Sequence, residues 1–199
     1  MPAARGLARA AMRLDAPVMR TILDGAIAGQ GVVAAWNDVA VPVLIGIGDR
    51  FQATQRFVEV EHLISRCVTE ALGAVPRPVG TPPRVLLAAA DEEQHTLALE
   101  ALAAALAERG VPTRLLGGRV PPRALHDAVT RTGPAVVLLW SQVAATGDPT
   151  QLTRLAAHPH PPLLLAAAGP GWPEPRLPAG VAHLTTLVSA VDLLQAAVS

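Results

Sequence analysis

Glu93-Gln94-His95 sets a carboxylate two residues before an imidazole, just beyond the apolar run Val85 to Ala90. A carboxylate bonded to one ring nitrogen fixes the histidine tautomer and makes the other nitrogen more basic, which is what a metal-ligating histidine needs. The plain alternative is a helix-start loop whose acids favour the helix dipole and whose histidine is merely solvated. Glu61-His62 is a second pair, interrupting an apolar stripe between Val60 and Leu63, where burial without partners would be costly. Its plain alternative is a polar patch on an exposed helical face. Ser141 ends one apolar run and Gly169 and Gly171 follow another, offering a hydroxyl and two positions where backbone can approach a bulky ligand. His158 and His160 read as a solvated strand-entry loop, His126 as helix surface and His183 as a strand residue. There is no Ser/His/Asp order, P-loop or G-x-G-x-x-G, and Gly117-Gly118 is too short to signal a phosphate cradle.

The elements that must position these groups change character along the chain. Residues 4 to 75 hold apolar residues at helical spacing, which predicts a bundle of about four helices over 1–76. A short first helix spans Leu7 to Met12. Asp15-Ala16-Pro17 caps a second, which stops near Gly29-Gln30-Gly31. A third restarts at Val32 with a kink at Pro42, and the last runs from Phe57 to Leu72. Four prolines within 76–83 break every regular pattern and make 77–83 a linker. From 84 to 199, short and continuously apolar segments alternate with helices, the pattern of a parallel sheet covered on both faces. The expected fold is therefore a helical bundle followed by a five-stranded parallel, Rossmann-like α/β domain. Pro170, Pro173, Pro175 and Pro178 reduce the fourth crossover to a loop or a single turn. In such a sheet ligands bind beyond the carboxyl ends of the strands, where residues 91–95 and 141–143 and the glycines fall.

Composition limits what the chemistry can serve. The chain has 51% hydrophobic and 16% charged residues, too apolar for disorder, and its apolar runs are read as too short to cross a bilayer. Sixteen basic residues, all Arg, balance 16 acidic ones, so no global positive field draws the chain to nucleic acid or to a membrane. Aromatic residues are 3% and Tyr is absent, which argues against a base-stacking surface. The single Cys67 excludes an internal disulfide and a four-cysteine zinc site. With no secretory pattern expected in Met1-Pro2-Ala3-Ala4-Arg5, the default compartment is the cytoplasm.

Two spaced motifs carry a family resemblance. Glu93-Gln94-His95-Thr96-Leu97-Ala98 resembles the E/D-x-H-x-x-G signature of cobalamin-binding domains, with Ala98 in the glycine position. Ser141-Gln142-Val143 resembles that family's S-x-L element, and Gly169-Pro170-Gly171 its glycine pair. In the helical half, Phe51, nine intervening residues and Glu61-His62 resemble the Trp-x9-Glu-His motif. That motif belongs to the cobalamin-binding C-terminal half of CarH-type MerR-family photoreceptor regulators. The resemblance implies that His95 replaces the nucleotide base as lower cobalt ligand. It implies that Ser141, Val143, Gly169 and Gly171 line the channel for the displaced tail, and that Phe51, Glu61 and His62 surround the upper adenosyl group.

The chain departs from those regulators in ways that shape the expectation. Phe51 lacks the indole donor, Gln52 stands where a cobalt-capturing histidine follows the tryptophan, and the winged helix-turn-helix is not among these residues. The expectation is a non-enzymatic cobalamin sensor without its own DNA-binding domain. It takes adenosylcobalamin first, with methylcobalamin or hydroxocobalamin as further candidates, and works through a homo-oligomer or a regulatory partner. The runner-up is a corrinoid carrier subunit of a methyltransferase system. A third reading is a cofactor-free interaction module.

Overall fold

The computed structural model describes residues 2–199; Met1, the first residue of the N-terminal segment discussed above, lies outside the described residues. The chain divides after Pro76 into two compact units.

In the first unit, α1 (Pro2–Met12) buries Leu7, Ala10 and Ala11 completely, the three- and four-residue spacing that puts side chains on one helical face. The Asp15 carboxylate accepts the Val18 N–H at 3.2 Å and opens α2 (Ala16–Ala35), with Pro17 in its first turn. The expected stop near Gly31 is a single non-helical residue, with φ of 80° and ψ of 166°, inside an otherwise continuous run. A π-helical turn, Trp36–Ala40, then leads into α3 (Val41–Thr54). Pro42 lies in the first turn of α3 and has no N–H to give the preceding turn, so the backbone widens where a kink was expected. The joined run Ala16–Thr54 has 39 residues and holds an 18-residue window of mean hydropathy 1.6, so one helical stretch does reach the length and apolarity of a membrane span, contrary to the sequence reading. Its breaks at Gly31 and at the π turn, and the packing of α2 on α1 and α4, mark it as a bundle element.

Gln55 closes α3 in the left-handed region and donates to the Phe51 carbonyl at 2.7 Å; Phe57, also left-handed, opens α4 (Val58–Gly73). Glu70 on α4 accepts from Arg20 of α2 at 2.8 Å and from Arg66 at 2.6 Å. These bonds, Arg66 first, hold its carboxyl below the ordinary value. Burial pushes the Cys67 thiol up, the state of an inert packing residue.

In the second unit, β1 (Val85–Ala89), β2 (Thr113–Leu115), β3 (Val136–Trp140), β4 (Leu164–Ala168) and β5 (Ala182–Leu184) form one parallel sheet in the order β2-β1-β3-β4-β5. The central strands are buried on both faces, which is why their sequences are continuous apolar runs. Alternate residues Leu86, Ala88, Val137, Leu139 and Ala167 pack with Leu125, Val129, Leu152 and Leu155 of α6 (Pro122–Thr132) and α7 (Thr150–Ala156). The remaining crossover helix, α5 (Leu97–Glu108), packs with α8 (Leu187–Ala196), which follows β5. The fourth crossover is the single 3-10 turn Glu174–Arg176, as the prolines required. The order reverses between β1 and β3, so their carboxyl ends flank the crevice of an open α/β sheet.

Candidate metal centre

The loop after β1 is shaped by backbone that few residues adopt. Glu92 takes φ of 60° and Arg119, in the loop after β2, takes φ of 52°. The Arg119 guanidinium pairs with the Glu92 carboxylate, and its backbone N–H donates to the Glu93 carbonyl at 2.7 Å. Gly118 lets this loop approach, since a Cβ there would sit 3.2 Å from both the Glu93 carbonyl oxygen and the Thr96 methyl.

Glu93 is 1% exposed and accepts five hydrogen bonds. Its Oε1 takes the His95 backbone N–H at 2.8 Å and His95 Nδ1 at 2.5 Å. Its Oε2 takes the Gln142 and Val143 N–H groups at 2.7 and 3.3 Å and the Thr146 hydroxyl at 2.7 Å. Burial pushes this carboxyl up, but the bonds from His95, Thr146 and Gln142 outweigh it and hold the pKa at about 2, so the buried group is ionised at neutral pH. One carboxylate thereby clamps the loop after β1 to the loop after β3, across the crevice where the strand order reverses.

The same bonds explain why the helix starts late. The His95 N–H goes to Glu93 rather than into a helical turn, so α5 begins at Leu97. The ring is 59% exposed, its Nδ1 is taken, and Nε2 has no partner among the described residues. That is a histidine prepared to give one lone pair to a metal. Among the described residues no three metal-ligating side chains converge. A cation bound at Nε2 would therefore bring its other ligands with it, as a metal held in a macrocycle does.

The remaining expected residues fall into two groups. Ala98 is half-buried in the first turn of α5. Ser141 is wholly buried, but its hydroxyl is bonded to the Val143 carbonyl at 3.0 Å and to Thr146 Oγ1 at 2.8 Å. Gly171 donates to the Ser141 carbonyl at 2.9 Å, and a Cβ on it would overlap the Ser141 hydroxyl and the Val143 carbonyl. A Cβ on Gly169 would overlap the Ser141 carbonyl. The glycines thus let the loops after β3 and β4 close on each other. The close contacts of Ser141, Gly169 and Gly171 are with each other and with Val143, Thr146 and Trp140. The Val143 side chain is 40% exposed.

In the helical unit, Phe51 and Glu61 are half-buried and His62 is exposed. The tight turn between α3 and α4 brings Phe51 and the Glu61-His62 pair to the same end of the helix hairpin. Neither Glu61 nor His62 has a side-chain partner among the described residues. His158, expected in solvent, is instead 7% exposed. Its Nδ1 accepts from the His160 N–H at 3.0 Å, Nε2 meets the Thr130 hydroxyl at 2.9 Å, and its ring lies 4.5 Å from that of His126, so it is a satisfied packing residue.

Thr146 and Gln151 escaped the sequence reading. Gln151, in α7, accepts the Asp91 N–H at 2.9 Å and donates to the Thr146 carbonyl at 3.3 Å, a second strut between the same loops. Neither forms a motif with its sequence neighbours, and only the strand order brings them to residues 91–95.

A parallel sheet with this order, carrying a carboxylate-oriented histidine at its switch point, is a Rossmann-like α/β fold with a helical unit ahead of it. Residues 3–75 match the B12 binding domain family. The chain is 32% identical over 145 residues to the HTH-type transcriptional repressor CarH of Myxococcus xanthus. That match covers 71% of this chain and 48% of the relative, so the chain spans about half the relative's length. The fold is that of the Methanosarcina barkeri monomethylamine corrinoid protein, with a TM-score of 0.71, 14% identity and 94% of each chain covered. A cobalamin-binding protein from Desulfitobacterium hafniense gives 0.52 at 19% identity, covering 97% of each chain. The methanol:cobalamin methyltransferase complex of Methanosarcina barkeri gives 0.51 at 17%, over 98% of this chain and 79% of that one. The chain carries a B12-binding domain, and its cobalamin-binding region is CarH-like.

Proposed function

We propose that this protein is a cytoplasmic, non-enzymatic cobalamin sensor linked to transcriptional control, with His95 Nε2 as lower cobalt ligand and Phe51, Glu61 and His62 serving the upper ligand. The observation that carries the reading is the ionised, buried Glu93 held against His95 Nδ1, which leaves the opposite ring nitrogen open. When bound, adenosylcobalamin supplies a cobalt–carbon bond that light breaks. The chain's own part is to hold the imidazole in one tautomer and one direction, and to offer Glu61 and His62 as polar partners that change when the upper ligand is lost. Such a change shifts the bundle between arrangements, and with it an oligomeric or regulatory interface. Gln52 in the neighbouring position gives no second imidazole, so the illuminated state differs from one captured by two histidines.

The test is to titrate the protein with adenosyl-, methyl- and hydroxocobalamin in the dark, record visible spectra, and repeat after green light. A histidine-ligated spectrum that His95→Ala abolishes, with a light-induced change in oligomeric mass for the adenosyl form, is expected. Equal binding by His95→Ala overturns the reading. Transfer of a methyl group from the bound methyl form to a thiol, on adding a partner methyltransferase, would replace it with the corrinoid-carrier reading.

A further inference from the structure

We propose that the groove between α1 and α3 is a docking site for an acidic, amphipathic helix of a partner protein. Arg5 and Arg9 on α1 and Arg13 in the turn just after it recur every four residues, and Arg50 stands on α3; all four line a groove of about 520 Å³. Its floor is apolar, formed by Ala8, Met12, Val43 and Ile47, and no carboxylate lines it. None of the four guanidiniums has an acidic partner among the described residues, and Arg50 reaches only the Met12 sulfur, at 3.8 Å. Elsewhere in the same unit Arg20 and Arg66 are both paired with Glu70.

The stripe works against the helix that carries it. Like charges four residues apart repel, and Arg5 lies near the positive end of the helix dipole, with no acid in the first turn to compensate. With a formal net charge of zero over the whole chain, the positive field is local to this groove. A negative partner relieves both costs. The apolar floor selects among negative partners: a nucleic-acid backbone brings phosphates but nothing to bury, whereas an amphipathic helix buries one face and flanks it with carboxylates. Acids four residues apart on such a helix lie about 6 Å apart along its axis, the pitch of the arginines.

The probe is a fluorescein-labelled peptide of about 14 residues, about four turns, with leucines on one face and glutamates on the other, followed by anisotropy against the full chain. Saturable binding is expected, weakening as salt rises from about 50 to about 300 mM. The double variant Arg9→Glu, Arg13→Glu should lose roughly tenfold or more in affinity, while Arg56→Glu, outside the groove, should change it less than about twofold. Circular dichroism checks that each variant is folded, and Arg50→Gln gives the same reading if the double variant is not. Unchanged titration with cobalamin in these variants separates this site from the metal centre. Equal binding of a lysine-for-glutamate peptide or of a serine-for-leucine peptide overturns the proposal. So does tighter binding of a duplex DNA of similar length, or no loss in the variants.

Discussion

The two units hold their candidate histidines in opposite ways. His95 is tied through Nδ1 to a buried carboxylate that itself receives five hydrogen bonds from two loops of the chain, so its direction is fixed before any ligand arrives. His62 and Glu61 are tied to nothing among the described residues. A ligand that must be held permanently needs a group whose orientation has already been paid for, while one that must come and go is better met by groups free to change partner. On the proposed function, the α/β unit is the permanent holder and the helical unit the responsive one.

The sharpest way to break that contrast is Glu93→Gln, which keeps the shape but turns an amide N–H toward donors on one side of the group. A loss of about 3 kcal/mol in urea unfolding is expected, with cobalamin affinity falling roughly 10- to 100-fold. Intact affinity would show that His95 needs no orienting carboxylate. Next comes Gly171→Ala, whose methyl group has no room beside Ser141 and Val143; thermal unfolding should report a loss of about 2 kcal/mol. Its counterpart in the bundle, Gly25→Ala, meets nothing within 4 Å and should raise stability by about 0.5–1 kcal/mol through helix propensity. Thr146→Val removes one donor to Glu93 and the acceptor facing Ser141, and about 1–2 kcal/mol should be lost in the same measurement. The smallest effect belongs to His62→Ala, within about 0.5 kcal/mol in stability. Its signature is a changed preference between adenosyl- and hydroxocobalamin, measured by competitive titration; a large loss of stability would mean that His62 is structural after all.

Much of the fold could be read in advance because its signals are local. Val85 to Ala90 and Ala135 to Trp140 are apolar without alternation, which only a strand covered on both faces explains. The four prolines after Gly169 excluded a fourth crossover helix for the same kind of reason. The sequence says less where one local pattern serves two tertiary ends. Gly169 and Gly171 permit close approach, and their spacing does not say what approaches; in the structure the chain's own loops do. His158 between prolines and alanines looked solvated because the Thr130 hydroxyl that receives it is 28 residues away.

By itself the sequence determined the alternation of elements, the boundary between the units, and the pairing of Glu93 with His95, since each depends on residues within a few positions of one another. The tertiary structure decided that Glu93 would be ionised and buried. Its remaining donors, Gln142, Val143 and Thr146, lie 49, 50 and 53 residues downstream, and only the parallel pairing of β1 with β3 brings them within hydrogen-bond reach.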